Sequence, residues 1–275
     1  MAKNNVVDNN KKYVLVTGAY GGMGRAAVDL FAANGYVVFA ADLRVDEDES
    51  RQNVVPLALD VTDYDSVLAA QEKVSQITDK LYAVVHFAGI YMLNSLVEMP
   101  VEDFKRIVDI NLYGAFAVNK AFVPLLEVGG KVVIITSELA PLDPLPFTGI
   151  YAVTKAALDK YAYSLCMELQ LCGISVSVIR AGAVSTGMLG VSTAQLDKFV
   201  TETTRYKCNA ERFKQIVDGV EAKSVPPQRI AQTAAKILSA RKPKFVYNVN
   251  RNRLLLLLNA LPKRMQLWAI RRVLK

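Results

Sequence analysis

The chain has 275 residues, 52% of them hydrophobic and 21% charged, and reads as a globular, water-soluble protein large enough to bury a substantial core as one domain. Three cysteines, Cys166, Cys172 and Cys208, form no CxxC pair and meet a single histidine, His86, which argues against a structural zinc site and leaves free thiols, the first two packed along a helix. The net charge of +7 is unevenly placed: residues 1–222 carry 20 Lys and Arg against 26 acids, whereas residues 223–275 carry 13 Lys and Arg and no acid. Such asymmetry suits an anionic partner, or a tail that neutralises its own acidic body or that of a second subunit.

Residues 1–12 are polar and Asn-rich, with no apolar run of signal-peptide kind, so a flexible N-terminus on a cytoplasmic protein is expected. Near-continuous apolar runs then recur at Tyr13–Val16, Val37–Ala41, Val54–Leu59, Ala83–Phe87, Val132–Thr136 and Ser175–Ile179, as in parallel strands buried on both faces. Helical patterns fall between them at Gly22–Asn34, Asp63–Thr78, Val101–Glu127 and Gly149–Cys172, with Pro124 placed near the end of the third, where it disturbs least. The alternation predicts an α/β fold: a doubly wound parallel sheet of Rossmann type over residues 13–249, binding its ligand at the carboxyl ends of the strands.

The first predicted strand ends in Thr17-Gly18-Ala19-Tyr20-Gly21-Gly22-Met23-Gly24. Glycines there let the backbone approach a pyrophosphate, and the helix that follows offers unpaired N–H groups and the positive end of its dipole. Gly22, Gly24 and Ala27 also satisfy the GxGxxA form of the dinucleotide fingerprint. The second strand closes on Asp42, 18 residues past Gly24, where a carboxylate accepts both adenosine ribose hydroxyls and repels a 2′-phosphate. NAD is therefore expected over NADP, although Arg44 lies close enough to accommodate that phosphate. Asp60, ending the third strand, is read either as a contact to the adenine edge or as a turn or N-cap acid. Tyr151 and Lys155, four residues apart on one helix, bring a phenol and an ammonium to the same face, where the cation is expected to lower the phenol's pKa toward that of a useful base.

With these motifs in place the sequence resembles the short-chain dehydrogenase/reductase family from Lys12 to about Pro243, and among its members the hydroxysteroid and retinol types. Thr17, Gly18, Gly22 and Gly24 match TGxxxGxG, Tyr151 and Lys155 match YxxxK, and Ser137 and Asn111 match the family's serine and asparagine. The resemblance implies hydride transfer between a nicotinamide and a carbinol or carbonyl carbon. Tyr151 would handle the proton, Ser137 would bond the substrate oxygen, and Lys155 would hold the nicotinamide ribose. Asn111 would fix a helix irregularity and a water linking Lys155 to solvent. Cofactor contacts are expected from Thr17, Gly18, Tyr20, Gly22, Met23, Gly24, Asp42, Asp60, Val61, Ala88, Gly89, Tyr151, Lys155, Gly182, Val184 and Thr186. The pattern is departed from at His86-Phe87-Ala88-Gly89, which lacks the family's asparagines and makes His86 a packing residue. Ala181 replaces the proline of PGxxxT, so a looser turn is expected there. The Ser137 to Tyr151 interval is one residue longer than usual and carries Pro141, Pro144 and Pro146, which leaves the pose of Ser137 to be established.

The segments that vary among substrates are oily. Leu142, Leu145, Phe147, Met188 and Leu189 are expected to line a wide apolar pocket beneath a helical lid at about 188–225, suiting a steroid, retinoid or lipid-like alcohol or ketone; packing of the lid or of a subunit interface is the other use for these residues. A last strand is placed at Phe245–Val249, followed by a basic, amphipathic extension over residues 250–275. That extension is too interrupted to span a bilayer; it suits peripheral membrane contact, or else covers the substrate mouth or a second subunit of a homo-oligomer. No aromatic-rich basic stripe is present, so nucleic acid is not an expected partner. A nucleotide-binding regulator without turnover, or a membrane module carried on this fold, are the competing functional readings.

Overall fold

The computed structural model describes residues 11–45, 51–221 and 223–275, apart from the side chains of 188–193, 220 and 221. The predicted flexible segment 1–12 therefore lies almost wholly outside the described residues. Seven strands, β1 (Tyr13–Thr17), β2 (Val37–Asp42), β3 (Val54–Ala58), β4 (Leu81–His86), β5 (Leu126–Ser137), β6 (Ser175–Ala181) and β7 (Val246–Val249), form one parallel sheet in the order β3-β2-β1-β4-β5-β6-β7. The order reverses between β1 and β4, which opens the crevice used for ligands in sheets of this type.

Strand periodicity divides the core between two faces. Val14, Val16, Val38, Ala40, Val85, Val133, Ile135 and Ile179 meet α1 (Gly22–Ala33) and α8 (Gln228–Ser239). On the other face Leu15, Phe39 and Val84 meet α2 (Tyr64–Ser75) and α4 (Gly114–Phe122), while Val132, Ile134, Val176 and Val178 meet α5 (Gly149–Leu169). Side chains that alternate along a strand thus fill both layers, which is why the strands read as unbroken apolar runs. Helix α8 is not among the predicted elements, although Ile230, Ala231, Ala234, Ile237 and Leu238 recur at helical spacing and are all buried.

The predicted helix over Val101–Glu127 is not continuous. It divides into α3 (Val101–Val108), a wider π-helical turn at Asp109–Tyr113, α4, and a tight 3₁₀ turn at Val123–Leu125 that holds Pro124; Leu126 and Glu127 already belong to β5. Beyond β6 the lid is two helices, α6 (Gly187–Glu202) and α7 (Lys207–Glu221), and the extension after β7 is two more, α9 (Arg253–Ala260) and α10 (Lys263–Leu274). Cys166 is half-buried on α5, but Cys172, expected to pack along the helix, stands exposed in the 3₁₀ turn that follows it.

Candidate active site

The glycine loop takes its shape from close backbone approaches. Gly18 has φ +65°, and a Cβ on it would stand 2.6 Å from the Ala88 nitrogen; a Cβ on Gly24 would collide with the Gly18 carbonyl. Helix α1 begins without a side-chain cap and with no acid in its first turn, so its N–H groups and dipole are available to an anion. Thr17 ties the loop to β4, its carbonyl accepting from Phe87 N at 3.0 Å and its hydroxyl from Ala88 N at 3.4 Å. These features fit the phosphates of a dinucleotide.

Asp42 closes β2 beside this loop. One carboxylate oxygen accepts the Tyr20 N–H at 2.9 Å and the other the Leu43 N–H at 2.8 Å, leaving a lone pair on each oxygen for ribose hydroxyls. Asp60 is a turn acid on one side: its Oδ1 accepts both the N–H and the hydroxyl of Thr62, while Asp63 caps α2. Val61 packs so closely on Gly114 that a Cβ there would meet it at 2.7 Å, which ties the β3 end to α4. His86 is buried with Nε2 2.9 Å from Asn119 Oδ1, and burial pulls its pKa down to about 4; the neutral ring is held as a packing group.

The irregular turn at Asp109–Tyr113 presents Asn111 inward. Its Nδ2 donates to the Ile90 carbonyl at 3.0 Å and to Thr154 Oγ1 at 3.1 Å, and its Oδ1 accepts the Ile90 N–H at 2.8 Å. Asn111 therefore binds the strand-end segment to α5 at the residue next to Lys155. Helix α5 is itself pinned to the sheet by a two-point ion pair, Arg180 Nε and Nη2 donating to Asp159 at 3.0 and 2.7 Å.

Ser137 ends β5, buried, with its Oγ accepting the Leu139 N–H at 3.2 Å, and it shares the cavity wall with Tyr151, near enough to favour the charged form of the phenol. The longer, proline-rich interval thus does not separate the two side chains. Lys155 is buried and donates to the Ile135 carbonyl at 3.1 Å, its Nζ 5.8 Å from the Tyr151 ring centre. Burial pushes the phenol up to about 12, opposed by the Ser137 hydroxyl and reinforced by the Glu138 charge; burial draws the ammonium down to about 8. The expected lowering of the phenol by its neighbouring cation is not found; desolvation raises it instead.

These groups open onto one cavity of about 220 Å³ whose wall includes Met23, Gly89, Tyr91, Leu145, Gly182, Val184 and Thr186. Of the expected substrate residues, Leu145 lines it, whereas Leu142 borders a small neighbouring crevice. Phe147 does not line the cavity: at φ +65° it packs behind it against Phe199, Tyr206 and Phe213. The side chains of Met188 and Leu189 lie outside the described residues. The turn after β6 is clamped rather than loose, with Gly182 N donating to Val249 O, and Val225 N and Asn250 Nδ2 both donating to Ala183 O. Sequence reasoning missed Glu138, Phe213, Ile216, Val217, Asn252 and Leu255 on the cavity wall. Adjacency to Ser137 was the only signal for Glu138; the lid and tail residues lie in the segments expected to cover the pocket, but nothing in their own spacing singled them out.

The tail roofs this cavity. Asn252 and Leu255 face inward, Ile270 and Leu274 join the lid cluster, and Asp143 holds the tail through an ion pair with Lys263 and hydrogen bonds from Gln266 and to Asn259.

Residues 12–197 match the family model described as short chain dehydrogenase. The chain is 33% identical over 181 residues to an NADPH-dependent 1-acyldihydroxyacetone phosphate reductase of Schizosaccharomyces pombe, covering 64% of this chain and 61% of that protein. It is 26% identical over 251 residues to an NADPH-dependent 3-dehydrocapnine reductase of Ornithobacterium rhinotracheale, covering 86% and 88%. A short-chain dehydrogenase/reductase from Burkholderia phymatum, solved in complex with NAD, shares the fold at a TM-score of 0.71 and 22% identity over 86% of this chain and 88% of that one.

Proposed function

Because the chain belongs to the short-chain dehydrogenase family, matching its model over residues 12–197, we propose that it is an NAD-dependent oxidoreductase interconverting a secondary alcohol and a ketone on a bulky, apolar, lipid-, steroid- or retinoid-like molecule. One observation carries this reading: Ser137, Tyr151 and Lys155 share the wall of a cavity lined mainly by apolar side chains. A dinucleotide held by the glycine loop and Asp42 would supply or accept the hydride. Tyr151 handles the proton on the substrate oxygen, and Ser137 hydrogen-bonds that oxygen as its charge changes. Burial keeps the phenol protonated near neutral pH, the form from which Tyr151 would donate to a ketone oxygen. Lys155 and Asn111 keep the inner wall in place, Asn111 as a positioning residue through Ile90 and Thr154.

Asp42 supports the choice of NAD, since a carboxylate at the β2 end repels a 2′-phosphate. The relatives named as NADPH-dependent are the reason the choice needs direct measurement. Exposed Phe104, Phe116, Val153 and Met167 on α3, α4 and α5 support self-association.

The finer reading of the tail is a peripheral contact with an anionic bilayer. Its outer side exposes Leu254 at 71% and Leu267 and Trp268 at 69% each, together with Leu257 and Met265, amid basic residues unopposed by any acid after residue 222. Among the described residues no helix is long and apolar enough to cross a membrane.

The functional reading is tested by following nicotinamide absorbance with a panel of steroid, retinoid, acyl-chain and sugar alcohols and ketones, beside Tyr151→Phe. Turnover of an apolar member that falls about 10²- to 10⁴-fold in the variant is expected; full turnover by Tyr151→Phe refutes the assignment, and a non-catalytic nucleotide-binding protein turns over nothing.

A further inference from the structure

One ionisable group on the cavity wall has no part in the proton and hydride chemistry. Glu138 follows Ser137 directly and is placed by its own backbone, whose N–H donates to the Ala181 carbonyl at 2.9 Å. The residue is only 7% exposed and lines the cavity. Oε2 accepts the Asn252 N–H at 2.6 Å; Oε1 makes no hydrogen bond among the described residues. Leu139, Leu145, Val184, Phe213 and Leu255 share the wall with it.

A carboxylate in such a place is costly unless charge or hydrogen bonds compensate. Burial raises its pKa, and only the Asn252 N–H and the more distant Arg251 oppose this; Lys155, on the same cavity, spends its bond on Ile135. The carboxylate also works against the neighbouring chemistry, because its charge disfavours a Tyr151 phenolate. Both costs vanish when a cation enters beside it: the carboxylate gains a partner, and the field at Tyr151 is neutralised during the step that leaves the phenol without its proton.

We propose that Glu138 is a specificity-determining residue that receives, through Oε1, a substrate ammonium carried next to the reacting carbon, so that the preferred substrate is an apolar-chain amino ketone or amino alcohol. This rests on the oxidoreductase reading and narrows its substrate class. The chain of such a molecule lies along Leu145, Phe213 and Leu255, and its head is fixed by Ser137 and Tyr151 at the oxygen and by Glu138 at the nitrogen.

The test uses the full chain, a nicotinamide cofactor and two ketones of equal chain length, one with an ammonium on the carbon beside the carbonyl and one with hydrogen there. The wild type is expected to favour the amino ketone at least 10-fold in kcat/KM. Glu138→Gln keeps an acceptor for the Asn252 N–H but loses the charge, and should reduce that preference about 10- to 100-fold, the scale of a charge-assisted hydrogen bond. A wild-type preference of one or less, or a Glu138→Gln effect equal on both ketones, overturns the proposal and leaves Glu138 as a pin for the tail. Absence of turnover with either ketone and with the broader alcohol and ketone panel refutes the oxidoreductase reading itself. Should the variant fail to fold, competition on the wild type decides: a long-chain alkyl amine should inhibit at least 10-fold more strongly than the alkyl alcohol of the same length, and equal inhibition overturns the proposal.

Discussion

Lys155 shows what the site demands of a single residue. Its ammonium, buried and drawn from 10.5 to about 8, represents roughly 3 kcal/mol of unfavourable charge burial. The folded chain releases this proton near pH 8 and the unfolded chain near 10.5, so the unfolded chain binds more protons between those values and this group's contribution to stability rises with pH across them. Lys155→Met should therefore hold or raise the melting temperature at pH 7, narrow its advantage toward pH 10, and lose at least 100-fold in turnover; a lower melting temperature at pH 7 would mean that the bond to Ile135 outweighs the burial. Asp42 is the complementary case at the cofactor end: Asp42→Ala should move the NADH to NADPH ratio of kcat/KM at least 10-fold toward NADPH, and an unchanged ratio would remove the carboxylate from cofactor choice. Both residues were located from the sequence, Lys155 by its spacing from Tyr151 on one helix and Asp42 by its place at the end of the second strand. Glu138 was not, because its environment is made by Asn252 and the lid, far away in the chain.

At the scale of elements, the lid depends on a contact that no periodicity reveals. Glu98, on the segment before α3, accepts from Thr203 Oγ1 at 2.7 Å, Thr204 Oγ1 at 2.8 Å, and the Thr204 and Arg205 N–H groups at 3.1 Å each, so one carboxylate organises the whole turn between α6 and α7. These donors hold its pKa down to about 2. Glu98→Ala should leave the sheet intact while speeding proteolysis at residues 203–205 and raising KM for an apolar substrate more than it lowers kcat; unchanged proteolysis and KM would show that packing alone holds the lid. The strands follow from sequence because unbroken apolar runs fill both layers, and α1, α2 and α5 because each presents one sustained helical period to one layer. The region from Val101 to Glu127 defeated that reasoning: a helix interrupted by a wider turn keeps an apolar pattern long enough to look continuous.

For the whole molecule, the basic tail packs against the acidic body through Asp143, Glu138 and the lid. It is cavity roof on one side and exposed leucine, methionine and tryptophan on the other, with basic residues on both helices. Flotation should recover the protein with vesicles containing phosphatidylglycerol and much less with phosphatidylcholine alone, salt should weaken the binding, and Leu267→Asp with Trp268→Asp should abolish it. Equal recovery with both vesicle types would remove the electrostatic part of the reading, and no recovery would assign the exposed face to contacts between protein chains.

The turn at Asp109–Tyr113 also bears on helical phase. Each residue of an α-helix rotates the next side chain by about 100°, and the wider turn accommodates one residue more than the regular pitch would. Deleting a single residue there would restore an unbroken α-helix that still turns Val118 and Phe122 to the sheet, because the wider turn absorbs the extra residue without changing the phase, and would swing Asn111 away from Ile90. The extra residue thus serves the aim of Asn111 at no cost to the packing of α4 on the core.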